Sequence, residues 1–137
     1  MNIYCAGPIK GDKTYQQFYK KIIAQVSKHN FTAFSEFNIL FEQKIKLNNK
    51  KIYERDIAWL RSSKAMIAEV SGPSLGVGFE ISYALFELKI PVLALYNREV
   101  KKVSAMIAGC SSPLLTIYSY KDDDELREHI NNFVIKF

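Results

Sequence analysis

Apolar segments of two different periods alternate five times along this chain. Runs such as "NIYCA" (2–6), "FTAFSE" (31–36), "AMIAEV" (65–70), "KIPVLALY" (89–96) and "LLTIYSY" (114–120) are short and largely apolar. Between them lie segments of helical spacing, such as 14–29, with apolar residues at 15, 18, 19, 22, 23 and 26. Further helices are predicted over 49–64, 78–89, 103–109 and 122–135, the last opened by an acidic turn that suits the helix dipole. Strands alternating with helices make parallel βαβ units with right-handed crossovers. Strands apolar on both sides belong to a sheet covered on both faces. The expected fold is therefore α/β: a flavodoxin-like, doubly wound, five-stranded parallel sheet of order 2-1-3-4-5. At 137 residues, one domain spanning 1–137 is expected, large enough to bury a core without disulfide or metal staples.

Bulk features exclude several classes. No apolar run approaches the 18 residues of a membrane-spanning helix. The strand-like "NIYCAG" start carries no signal-peptide core, and Cys5 and Cys110 are far apart without metal-ligand spacing. A cytoplasmic setting with reduced thiols is expected, with no metal or other cofactor. The net charge of +5 comes from dispersed lysines rather than a basic block. Together with the acidic "KDDDELREH" near the end, that speaks against a nucleic acid polymer as partner.

In a sheet of this order, ligands bind beyond the carboxyl ends of the strands where the order reverses, between strands 1 and 3. The segments leaving those strands are "CAGPIKG" (5–11) and "VSGPSLGVGFE" (70–80), the two richest in Gly and Pro. Ser74 can cap the third helix, while Gly76 and Gly78 allow backbone N–H groups close to an anion. The same glycines also serve ordinary helix–sheet packing. Glu80 sits between Phe79 and Ile81 near the crevice, either as a surface carboxylate favouring the dipole or on a partly buried face. Glu69 ends strand 3 and is expected to bind loop amides. Asp56 lies about two turns into helix 2, next to Arg55, and reads as an ion-pair partner. Tyr4 in a central strand reads as core, and Lys10 as the cation placed to meet a phosphate.

The stretches "IYCAGPIKG", "ERDIAWLRSSKAMIAEVSGPSLGVGFEISYALFELKIPVLALY" and "VSAMIAG" together resemble the nucleoside 2-deoxyribosyltransferase superfamily. Within it they look most like the 2'-deoxynucleoside 5'-phosphate N-hydrolases. The resemblance is collinear, covers nearly the whole chain, and implies a role for each matching residue. Glu80 would be the nucleophile that forms a covalent glycosyl-enzyme. Asp56 would assist departure of the base and contact the sugar, and Tyr4 would position nucleophile and substrate. Gly7, Ile9, Lys10 and Gly11 of the first loop, with Ser74, Gly76 and Gly78 of the second, would bind the substrate and its 5'-phosphate. Lys10 stands where such hydrolases carry arginine, and Pro8 where they often carry serine. Ser104 would reach the phosphate site of a neighbouring subunit, which makes a homodimer the expected assembly. The segment 34–54, least like the family, is expected to meet the base. The implied activity is hydrolysis of deoxynucleoside monophosphates to free base and 2-deoxyribose 5-phosphate. Base exchange by a deoxyribosyltransferase and a non-catalytic nucleotide-binding module are the alternatives.

Overall fold

The computed structural model describes residues 1–9 and 13–137. Five parallel strands form one sheet: β1 (Asn2–Ala6), β2 (Thr32–Phe34), β3 (Ala65–Glu69), β4 (Val92–Asn97) and β5 (Leu115–Tyr120). Their order is 2-1-3-4-5, as expected from the alternation. Helices α1 (Gln16–Lys28), α2 (Asn49–Arg61), α3 (Leu75–Ser82), α4 (Ala105–Ala108) and α5 (Asp123–Val134) connect or follow them.

Side-chain alternation along the strands divides the core into two layers. Ile3 and Cys5 of β1, Ile67 of β3 and Leu93 of β4 face one way, against Ile22 of α1 and Ile130 of α5. Tyr4, Met66, Ala68 and Ala94 face the other way, against Leu60 of α2 and Ile81 of α3. Both sets are buried, which is why the strands read as continuous apolar runs. The register pairs Tyr4 with Phe34 on one side and with Met66 on the other, so β1 is central and Tyr4 belongs to the α2/α3 face.

Two elements differ from the sequence expectation. Helix α3 begins at Leu75 rather than near Gly78, because the Ser74 hydroxyl accepts from the Val77 N–H at 3.2 Å and caps the helix early. Its continuation, Tyr83–Leu88, widens into a π-helical segment and stops at Lys89 in the left-handed region, φ 55°. The second strand shortens to three residues, and a one-turn 3-10 helix, Ile39–Phe41, follows it. At the other end, Asp122 caps α5 through the Glu125 N–H at 2.9 Å, ahead of the acidic first turn.

Gly7 and Gly76 make opposite demands. A Cβ on Gly7 would fall 2.5 Å from Cγ of Tyr19, a ring buried in the core, whereas one on Gly76 meets nothing within 4 Å. Gly7→Ala should therefore cost about 1–3 kcal/mol through overpacking. Gly76→Ala, inside a helix, should be neutral or stabilise by up to ~1 kcal/mol. Urea denaturation of the two variants checks this, and equal effects would contradict it.

Candidate active site

Beyond the carboxyl ends of β1 and β3 lies a cavity of about 800 Å³. Each wall comes from a different element. Tyr4 and Gly7 come from β1 and the loop after it, and Ile9 lies farther along that loop. Asp56 reaches in from α2, while Ser74, Gly76 and Glu80 come from the start of α3. The fold thus gathers residues separated by up to 76 positions.

The Tyr4 hydroxyl donates to Glu80 Oε2. Burial, aided by the Glu80 carboxylate, pushes the Tyr4 phenol well above its usual range, so it remains a donor. Glu80 is pushed up to about 7, chiefly by desolvation. The Tyr4 hydrogen bond and the Arg55 charge act downward on it, and Asp56 and Glu36 act upward. Position 80 in the second turn of α3 also favours an anion through the helix dipole, but burial outweighs it.

Asp56 is the ion-pair partner expected of it, and it also stands in the cavity. It pairs with its neighbour, Arg55 Nε donating to Oδ1 at 2.9 Å, and it lines the cavity. Burial raises its pKa, and Arg55 works against that. Glu69 has the structural role expected of it. It is fully buried and accepts from the Ser71 N–H at 2.6 Å, the Ser71 hydroxyl at 3.1 Å and the Tyr120 hydroxyl. Ser71 in turn accepts from the Asn97 N–H at 2.8 Å, so this network ties the root of the second loop to β4 and β5.

Two expected site residues open elsewhere. Ser104 and Gly78 line a second groove of about 560 Å³ on the α4 side of α3. Pro73, Ser74, Leu75 and Val77 border both spaces. Lys10 and Gly11 lie outside the described residues.

Sequence reasoning about single residues missed three others. Glu36, Tyr19 and Arg55 stand in or behind the cavity. Glu36 has a signal, since it ends the "FTAFSE" run on the crevice side and belongs to the 34–54 segment. Asn49, Ile52 and Tyr53 of that segment also line the cavity. Tyr19 reads only as the apolar face of α1, yet its hydroxyl donates to the Cys5 carbonyl at 2.9 Å and meets the Ser35 hydroxyl. Arg55 Nη2 is buried with no hydrogen-bond partner among the described residues, and Glu36 Oε2 lies 3.9 Å from it.

Residues 3–124 match the family model described as nucleoside 2-deoxyribosyltransferase. The chain belongs to the nucleoside 2-deoxyribosyltransferase family. A family relative from Thermofilum pendens, provisionally named 2'-deoxynucleoside 5'-phosphate N-hydrolase 1, is 35% identical over 98% of this chain and 95% of its own. A Danio rerio relative named 5-hydroxymethyl-dUMP N-hydrolase is 36% identical over 90% of each chain. The fold is also that of a Clostridium botulinum CMP N-glycosidase, at TM-score 0.69 and 12% identity, covering 97% of this chain and 99% of that one. No helix among the described residues is long and apolar enough to cross a membrane.

The raised pKa of Glu80 has a consequence for stability. Between the unperturbed value of 4.5 and about 7, the folded state holds a proton that the unfolded chain releases. Wild-type stability therefore falls as pH rises through that window, and the penalty is complete above it. Glu80→Gln carries no such penalty. It should be more stable than wild type by about 1–3 kcal/mol at pH 8, with the difference vanishing near pH 4.5. Denaturant titrations at the two pH values test this, and a pH-independent difference would contradict it.

Proposed function

We propose that this protein hydrolyses the N-glycosidic bond of 2'-deoxynucleoside 5'-monophosphates, releasing the base and 2-deoxyribose 5-phosphate. The observation that carries the proposal is the Tyr4–Glu80 hydrogen bond in the same cavity as Asp56. The names of the relatives, both N-hydrolases of nucleotides, agree with it. Two carboxylates flanking a glycosidic bond serve an oxocarbenium-like transition state, as in retaining glycosidases. A Glu80 oxygen attacks C1', and the C1'–N bond breaks with its electron pair passing to the base. The base takes up the proton of Asp56. Water then attacks C1', frees Glu80 as a carboxylate and returns a proton to Asp56. Tyr4 holds Glu80 in place. The missing 2'-hydroxyl of a deoxyribose eases formation of the cation.

The phosphate belongs at the capped start of α3, where Ser74, Gly76 and free amides of the first turn are exposed. Gly7 and Ile9 line the same cavity; the family resemblance gives them, with Lys10 and Gly11, a part in substrate binding, and segment 34–54 would meet the base. Both cysteines are free thiols, which fits the reducing cytoplasm proposed as the setting. Assays on a panel of deoxynucleoside monophosphates, with and without an acceptor base, test the activity. Release of 2-deoxyribose 5-phosphate without acceptor supports hydrolysis, whereas turnover only with acceptor would establish a transferase. Glu80→Gln should lose at least ~10³-fold in turnover. Near-normal turnover would end the nucleophile assignment.

The assembly we propose is a homodimer through the α3–α4 face, with Ser104 completing the partner's phosphate site. Leu75, Phe86 and Met106 border the groove that holds Ser104 and are 97%, 62% and 83% exposed. So much apolar side chain on one face fits an isologous contact. Complementation provides the test. A Glu80→Gln chain mixed with a Ser104→Ala chain forms a heterodimer in which the second chain keeps its nucleophile and receives an intact serine. Activity per Ser104→Ala chain should rise at limiting substrate. Unchanged activity after confirmed subunit exchange would mean the serine does not act across the interface.

A further inference from the structure

Arg55 is the residue behind the cavity whose contacts lead directly to the chemistry. Its side chain is only 15% exposed. Nε holds Asp56 Oδ1 at 2.9 Å, and Nη2 points to Glu36 Oε2 at 3.9 Å. The guanidinium lies over the Trp59 ring, 4.7 Å from its centroid. That ring is fixed in turn, stacked on Phe34 at 5.4 Å and against Phe41 at 5.3 Å. A planar, rigid cation on a rigid platform therefore bridges two carboxylates that come from two separate segments, the loop after β2 and helix α2. Among the described residues, no lysine, arginine or histidine lines the cavity itself. Arg55 takes one oxygen of Asp56 and leaves Oδ2 for whatever enters the cavity.

We propose that Arg55 is a positioning residue for departure of the base: it orients Asp56 by one oxygen so that the other meets the leaving group, and it sets the distance between Asp56 and Glu36. The proposal rests on the N-glycosidase function proposed above. Orientation of the acid by a fixed cation matters most where proton delivery limits the rate. Bases leave poorly without a proton, whereas a nitrophenolate leaves unaided. The Arg55 effect therefore depends on the leaving group, which a general loosening of the fold would not produce.

The experiment compares wild type, Arg55→Met, Arg55→Lys and Trp59→Leu on two substrates. One is a deoxynucleoside monophosphate with its natural base, and the other is 4-nitrophenyl 2-deoxyriboside 5-phosphate. Melting temperatures accompany the kinetics. Methionine keeps length over Trp59, and lysine keeps the charge but loses the fork. For Arg55→Met, kcat on the natural substrate should fall ~30–300-fold with KM within ~3-fold, while kcat on the nitrophenyl substrate changes less than ~3-fold. Arg55→Lys should recover part of the loss, and Trp59→Leu should show a smaller loss with the same leaving-group dependence. Equal losses on both substrates, or unchanged kcat on the natural one, would overturn the proposal. Wild-type protein inert toward both would overturn the glycosidase reading on which it rests.

Discussion

A strand buried on both faces must send its side chains alternately into two cores, and in β1 this places a tyrosine where a carboxylate can reach it. Ile3 and Cys5 pack under α1 and α5, while Tyr4 and Ala6 turn toward α2 and α3. A register shift of one residue would exchange the two sets. Tyr4 would then lie under α1, and Glu80 would lose its hydrogen-bond donor. The chemistry of the cavity thus depends on strand pairing, and strand pairing depends on the apolar pattern. Gly7 repeats the dependence one residue beyond the strand, since the chain can pass the Tyr19 ring only without a side chain.

Glu69 and Glu80 stand eleven residues apart, the first fully buried and the second half-buried at the cavity, and burial raises the pKa of both, with different outcomes. Glu69 receives three hydrogen bonds, from Ser71 twice and from Tyr120, and these work against the burial that raises its pKa. It joins the ends of three strands and contributes rigidity to the loop that begins α3. Among the described residues Glu80 has one donor, Tyr4, and the carboxylates of Asp56 and Glu36 raise its pKa still more. A carboxylate with its lone pairs satisfied is inert, whereas one with a single donor and a cavity before it can bond carbon. The number of donors, more than the degree of burial, separates the structural glutamate from the one proposed here as nucleophile.

The sheet order, the helix faces and the Ser74 cap were legible in the sequence because each follows from local pattern or one short-range bond. The position of the crevice was legible too, since it follows from topology. Residue roles inside it were legible only in part. Asp56 looked like the partner of Arg55, and it is; nothing local says that Asp56 also faces a cavity bordered by β1. Glu36 carried a positional hint and Arg55 only its pairing with the adjacent Asp56; the Tyr19 contact with Cys5 and the Arg55 approach to Glu36 carried none, because they span 14 and 19 residues. The glycines at 76 and 78 read as loop and set the expected helix at 78–89, against the Ser74 cap that implies a start at Leu75; the capping hydroxyl offsets their helix cost. The π-helical continuation over Tyr83–Leu88 has no sequence signature in this chain.

Helix α3 also bears on how one cavity can hold an anionic substrate and an anionic nucleophile. On the function proposed here the two must be kept apart while still serving one small molecule. Ser74 caps the helix and Glu80 lies six residues later, which along a helix axis is roughly 9 Å. At that separation, repulsion through a partly solvated cavity is on the order of 2 kcal/mol at an effective dielectric constant of 20. The amides of the first turn offset a repulsion of that size at the phosphate end. At the other end, burial pushes Glu80 up to about 7, so near neutral pH part of the charge it would set against an arriving phosphate is relieved by a proton. On the proposed function, one short helix, with its cap at one end and a single half-buried carboxylate in its second turn, separates attraction from attack along its own axis.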